Sequence, residues 1–264
     1  MTDSVAAYPD FLPGGASFSC NPPWMNAAGT LGFLPPARGS WESAVLGKHC
    51  AFVTNPISWL PRMPAAERGV LSFEGGVVLH SGLPNPGLRT VLRRYARAWQ
   101  GAEIPIWVHL IADHPQEVQN MVRRLEGIEG VAAVELSFAP GMSGGLILEI
   151  IRAAAGELPV VAQIACLDSH ADWLQDLQKA GAAAICLGAP RGELRRVDGG
   201  WMAGRVYGPA LLPLTIAAVR SLKRWGLPVI ASGGIYRRED GETLLAAGAA
   251  AVQLDTVLWR GWAD

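Results

Sequence analysis

The sequence predicts an α/β fold: a single-domain (β/α)8 TIM barrel in which the eighth helix is missing. Three observations predict it. The chain has 264 residues, close to the roughly 250 of one such barrel. From Ile104 onward, short apolar runs alternate with helix-period stretches, the rhythm of a parallel sheet. The strand runs lack apolar/polar alternation, as strands covered on both faces do.

Composition agrees. Half of the residues are hydrophobic and 17% are charged, ample for a core. A net charge of −1 implies no general attraction to nucleic acid or to an anionic membrane. No apolar run reaches the roughly 18 residues of a membrane span, and MTDSVAAYPDF lacks the form of a signal peptide. The cysteines, Cys20, Cys50, Cys166 and Cys186, have no CxxC spacing and read as reduced core thiols of a cytoplasmic protein. Histidine and acid spacing suggests no metal site.

Residues 1–20 read as an irregular lead-in and 21–264 as the barrel. The first strand lies near Trp24–Ala28, and Ala28-Gly29 lets another backbone come close. Trp41–Gly47 reads as a helix and Ala51–Thr54 as the second strand. Asn55–Leu83, rich in Pro and Gly, is an excursion of a length that is usually functional. Asn85-Pro86 caps a helix through Trp99. Then come strands at Ile104–Ile111, Val131–Phe138, Pro159–Ala165 and Ala182–Leu187. Helices start at Pro115, near Gly145 and near His170. A second excursion, Gly188–Tyr207, carries Arg191, Arg195, Arg196 and Arg205, a solvated loop or a carboxylate and phosphate binder. Helix six is Pro209–Trp225, and strands seven and eight are Pro228–Ala231 and Ala250–Leu254.

Strand, glycine turn (Ser232, Gly233, Gly234), helix and strand make the second-last βα unit, where such barrels commonly hold a phosphate. The competing reading is a tight turn that binds nothing. Only Val257–Asp264 follows the last strand, too little for an eighth helix. The outer face of the last and first strands is therefore expected to be covered by the lead-in or, more readily, by another chain. Trp259 and Trp262 suit such a homo-oligomer or partner interface.

The segments NPPWMNAAGTLGF, FVTNPISWLPR, HSGLPNPGL, VELS, YGPALLPLTI, SGGIYRRED and AGAAAVQLDT follow one another from about Asn21 to Trp259. In this order and spacing the chain resembles the class 1 dihydroorotate dehydrogenases, FMN-dependent barrels. The resemblance implies FMN at the C-terminal mouth, with its phosphate at the loops after strands seven and eight. It maps cofactor contacts onto Ala28, Gly29, Thr54, Asn55, His109, Ser137, Gln163, Gly208, Ser232, Gly233, Gly234, Asp255 and Thr256.

The resemblance also shows chemistry removed. The family's Thr-Lys pair is Thr54-Asn55 here. Its Asn-x-Ser-Cys-Pro-Asn, whose Cys is the catalytic base, is replaced by a stretch starting Ser137-Phe138-Ala139-Pro140-Gly141. Ser137 takes the place of the flavin- and substrate-facing Asn, and the Cys is absent. The lysine that supports the electron-rich end of the flavin is Gln163. Two asparagines become Leu79 and Gly188. GGLSGP becomes Gly204-Arg205-Val206-Tyr207-Gly208-Pro209, and the glycine of the last phosphate turn is Asp255, whose carboxylate opposes a phosphate. Loss of a base alone removes roughly 10²–10⁴-fold in rate. Dihydroorotate is thus not the expected substrate, and FMN is expected to bind weakly, through backbone amides.

Replacement bases are Cys166, His109 and His80, each with a plainer reading: a buried thiol, a satisfied barrel histidine, a solvent-facing loop histidine. Three functions stand open: a diverged FMN oxidoreductase, a barrel binding a small anionic ligand without redox chemistry, and a non-catalytic subunit that docks on a partner.

Overall fold

A computed structural model describes residues 10–11 and 18–263. The lead-in, residues 1–20, falls mostly outside them. In chain order the elements are β1 (Asp10–Phe11), β2 (Phe18–Ser19), β3 (Trp24–Asn26), α1 (Trp41–Leu46), β4 (Phe52–Val53), β5 (Gly69–Phe73), β6 (Gly76–His80) and α2 (Leu88–Gln100). Then come β7 (Ile106–Ala112), α3 (Pro115–Leu125), β8 (Val131–Phe138), α4 (Gly144–Ala154), β9 (Val160–Ala165), α5 (Leu177–Ala180) and β10 (Ala182–Gly188). The chain finishes with β11 (Arg191–Arg195), β12 (Trp201–Tyr207), α6 (Leu212–Leu222), β13 (Val229–Ser232), α7 (Arg238–Ala247), β14 (Ala251–Leu254) and α8 (Val257–Arg260).

Eight strands form one parallel sheet in the order β3-β14-β13-β10-β9-β8-β7-β4. The ends meet at a parallel bridge between Met25 and Ala51, which makes it a (β/α)8 barrel. β3 and β4 are too short for a full ladder, and Asn26 completes the seam. Its amide donates to the Val53 carbonyl at 2.7 Å and accepts from the Val53 N–H at 2.9 Å. Cys20 and Cys50 are joined by a disulfide beside this seam, a correction to the reading of four free thiols. The two lie 30 residues apart in sequence yet 5.5 Å apart between Cα atoms, a proximity that only the barrel creates. Cys166 and Cys186 are free and buried.

Two apolar clusters follow from strand periodicity. One lies between sheet and helices and includes Val134, Leu136, Ala162, Ile185 and Val252. The other fills the barrel interior with Met25, Ala51, Val53, Trp107, Ala133, Val161, Ala184 and Ile230. Successive residues of each strand serve alternate clusters.

The two excursions are not loops. β5 and β6 form a hairpin, as do β11 and β12, and β12 pairs with β6 to join them into a four-stranded antiparallel sheet, β11-β12-β6-β5. His80 is therefore a half-buried strand residue, paired with Gly69, and not a loop histidine. Two helix boundaries also differ. The fifth helix is a 3-10 stretch, Asp172–Asp176, followed by the four residues of α5. α2 is capped by Gly87, while the Asn85 side chain accepts from the backbone N–H groups of Ser58 and Gly87.

The end of the chain makes a single helical turn, α8. Val257 and Leu258 are buried, and Trp262 folds back edge-on to Trp24 and donates to the Val45 carbonyl at 3.1 Å. The tail packs against α1, α1 against β3 and α7 against β14. Trp259 stays 45% exposed, with Tyr207 against its ring.

Candidate active site

Along β8 the inward positions are Ala133, Glu135 and Ser137, because strand side chains alternate. Ala133 belongs to the apolar floor. One step toward the mouth the interior turns polar: His109 on β7, Glu135 and Ser137 on β8, Gln163 on β9 and Gln253 on β14. Register brings them together, with His109 opposite Glu135 and Ser137 opposite Gln163.

Glu135 is fully buried and is surrounded by donors. His109 Nδ1 lies 2.7 Å from Oε1, Gln253 Nε2 donates to Oε2 at 2.7 Å, and Gln163 Nε2 donates to Oε1 at 3.3 Å. Burial raises the carboxyl. The hydrogen bonds from His109, Gln253 and Cys186 counter it, and the group is held below the ordinary carboxylate range. An ion stripped of water costs several kcal/mol unless its lone pairs are filled, and here they are filled from three strands.

Glu135 fixes the imidazole. With Nδ1 donating to the carboxylate, Nε2 faces Ser137 Oγ at 2.9 Å. His109 and Ser137 are 1% and 4% exposed. Thr54 Oγ1 accepts from the His109 backbone N–H, which ties β4 to the same point. The result is a carboxylate–imidazole–hydroxyl line that runs up the barrel from Glu135 to Ser137 at the mouth.

Arg205 enters from β12. Its Nη1 lies 3.5 Å from Gln163 Oε1, and among the described residues no carboxylate lies within 4 Å of its guanidinium. Gly188 makes room for the amide that Arg205 meets. A Cβ at 188 would stand 2.9 Å from Gln163 Cδ, so a larger residue there would push Gln163 aside.

The remaining cofactor candidates divide. Ala28 and Gly29 lie on the loop after β3, half-buried and exposed. The Asn55 amide oxygen accepts from the Gly32 N–H at 3.0 Å. Gly208 is buried at the start of a 3-10 turn, Pro209–Leu211. Ser232, Gly233 and Gly234 are buried, and both glycines have positive φ. Packing requires the second: a Cβ on Gly234 would sit 2.2 Å from the Leu212 nitrogen. Asp255 is buried and accepts from both the N–H and the hydroxyl of Thr256. Burial is the largest influence on its carboxyl and raises it, against the lowering effect of those bonds.

Of the three candidate bases, only His109 joins the polar layer. Cys166 is buried in the cluster between sheet and helices, and burial pushes its thiol up, so no activated nucleophile is formed there. His80 lies on the antiparallel sheet. Sequence reasoning passed over Glu135, Gln253 and Cys186. The available signal was a charged residue inside an apolar strand, two positions before Ser137, because such a charge is almost never buried without partners. Among the described residues no group of three or more His, Cys, Asp and Glu is placed to hold a metal.

No family model matches the chain. Curated relatives do. The catalytic subunit of dihydroorotate dehydrogenase B (NAD(+)) of Citrifermentans bemidjiense is 26% identical over 273 aligned positions, covering 94% of this chain and 87% of its own. The Pelobacter propionicus protein of the same description is 27% identical with the same coverage. A putative dihydroorotate dehydrogenase A (fumarate) of Aeropyrum pernix is 28% identical, covering 88% of this chain and 81% of its own.

Proposed function

We infer, for a chain that belongs to the dihydroorotate dehydrogenase family, that it is an FMN-dependent oxidoreductase whose substrate is not dihydroorotate. The observation that carries the reading is Arg205. The family's flavin-supporting lysine is Gln163 here, a neutral dipole. The lost positive charge returns from another strand, 3.5 Å from that amide. A cation at this place stabilises a reduced, anionic flavin, so the residues at the mouth fit FMN. Bound FMN would supply the hydride acceptor.

This chain's own groups divide the remaining work. Backbone amides at Ala28–Gly29 and Ser232–Gly234 are the cofactor's main holders. Asp255 opposes its phosphate, and burial, by favouring the neutral carboxyl, softens that opposition. Dihydroorotate is disfavoured because no cysteine stands in Ser137–Gly141, position 79 is leucine, and the family's lysine is Asn55, whose amide oxygen accepts from the Gly32 N–H.

Calorimetric titration of the purified protein with FMN is expected to show weak, saturable binding. A nanomolar Kd would contradict the loss of side-chain contacts, and no binding would remove the oxidoreductase reading. Anaerobic mixing of the FMN-loaded protein with dihydroorotate is expected to leave the flavin absorbance unbleached. Bleaching on the timescale of turnover overturns the substrate assignment.

A second reading rests on the same arginine. A guanidinium with no carboxylate within reach suits a small anionic ligand in a barrel without redox chemistry. It predicts saturable anion binding that Arg205→Gln abolishes and no flavin binding. We place the work of the protein in the cytoplasm, and a homo-oligomer or partner contact at exposed Trp259. Light scattering on wild type and Trp259→Glu tests that contact.

A further inference from the structure

We propose that Ser137 is the proton-accepting catalytic residue of this barrel, activated by His109 and Glu135. The proposal rests on the reading of the mouth as the active site and supplies the base whose absence from the sequence argued against catalysis. The geometry is specific. Hydroxyl, imidazole and carboxylate stand in line at 2.9 and 2.7 Å, and two adjacent strands hold them. Glu135 is fixed again from the far side by Gln253, so the imidazole cannot turn without breaking a buried ion's bonds. Of the three, Ser137 is the member nearest the strand ends, where a substrate arrives.

The step balances within the chain. The substrate's bond to hydrogen breaks, and its electron pair stays on the substrate. Ser137 Oγ takes the proton while its own hydroxyl proton passes to His109 Nε2. The imidazolium formed is held by the ionised Glu135 through Nδ1. Return of the proton to water or product resets the line. Such an assembly differs from the family's cysteine in origin: three residues on two strands replace one thiol on a loop. A base positioned this way contributes about 10²–10⁴-fold.

The charged and titratable groups that face the line are few. Cys186 on β10 bonds toward Gln253 and Glu135, and burial raises its thiol well above the ordinary value. Arg205 approaches from β12 behind Gln163.

Two measurements on the flavin-free protein test the proposal, so their failure is separate from a failure to bind FMN. The first is reaction with a small sulfonyl fluoride, followed by peptide mass analysis. Ser137 is expected to be modified ahead of every other serine, with the rate following one ionisation. Ser137→Ala should abolish the modification, and His109→Gln should slow it at least about 10²-fold. Modification of Ser137 no faster than that of the other serines overturns the proposal. The second needs no variant and so survives any failure of His109→Gln to fold. In ¹⁵N-histidine spectra of wild type at pH 8, Nδ1 is expected to carry the proton and Nε2 to be bare. A proton on Nε2 leaves nothing to accept from Ser137 and overturns it equally.

Discussion

The lower and upper layers of the barrel interior are built on the same strands, two residues apart, with opposite chemistry. The floor is Trp107, Ala133, Val161, Ala184 and Met25, all without exposed surface. The layer above is His109, Glu135, Gln163 and Gln253, also buried but joined by hydrogen bonds. Burial of apolar area holds the floor, a non-directional contribution indifferent to pH. The polar layer holds only while each member finds its partner, because an unmet buried charge or donor costs far more than a met one contributes. The difference teaches where chemistry is stored in this barrel: in the layer whose stability is conditional.

The largest expected effect breaks the floor. Trp107→Ala removes a fully buried ring and should cost about 3–5 kcal/mol in urea unfolding. Because nothing ionises there, the loss should be the same at pH 7 as at pH 4. Glu135→Gln provides the contrast. It preserves shape but removes a charge that accepts three hydrogen bonds, and should cost about 1.5–3 kcal/mol at pH 7. Glu135 ionises below the unfolded carboxylate, so its stabilisation is complete above the unfolded value of about 4.3 and is lost as pH falls through the folded one. The gap between wild type and Glu135→Gln should therefore close in acid while that of Trp107→Ala stays open. Two gaps that close together would mean that the acid loss is global and not a property of the polar layer.

A smaller effect sharpens the same contrast at the rim. If Arg205 has taken over the role of the missing lysine, Arg205→Gln should lower the midpoint potential of bound FMN by about 30–60 mV, the equivalent of one charge-assisted hydrogen bond. An unchanged potential would mean that the guanidinium points at a ligand and not at the flavin.

The two layers were also unequally legible in the sequence. The floor and its strands follow from uninterrupted apolar runs, and the strand Val131–Phe138 was placed to the residue. Position-by-position comparison reads the mouth as a series of losses, because each replacement stands at a different position from what it replaces. Gln163 looks like a lost lysine until Arg205, 42 residues on, is found against it. Ser137 looks like a lost asparagine until His109 is found 28 residues before it. Neither separation carries a periodic signal. The sheet joining the two excursions was hidden for the same reason: β6 and β12 pair across more than a hundred residues. The Cys20–Cys50 bond was hidden because it spans a seam that exists only once the barrel closes.

The smallest expected effect separates two kinds of buried carboxyl. Asp255 follows β14 and Glu135 lies within β8; both are buried and are shifted in opposite directions. Glu135 has donors from three other strands. Asp255 has only its neighbour Thr256, and burial wins. A carboxyl raised in the folded state stabilises it below the unfolded value of about 3.9 and loses that contribution as pH rises through the folded one. At neutral pH Asp255 is accordingly a cost. Asp255→Asn should raise Tm slightly at pH 7, and the gain should vanish near pH 3, the reverse of the pH course for Glu135→Gln. If that carboxylate faces the cofactor's phosphate, the same change should also make FMN bind more tightly by calorimetry. A variant that is less stable at pH 7 and binds FMN no better would show that the Asp255 carboxylate is held ionised by Thr256 and turned away from the phosphate turn.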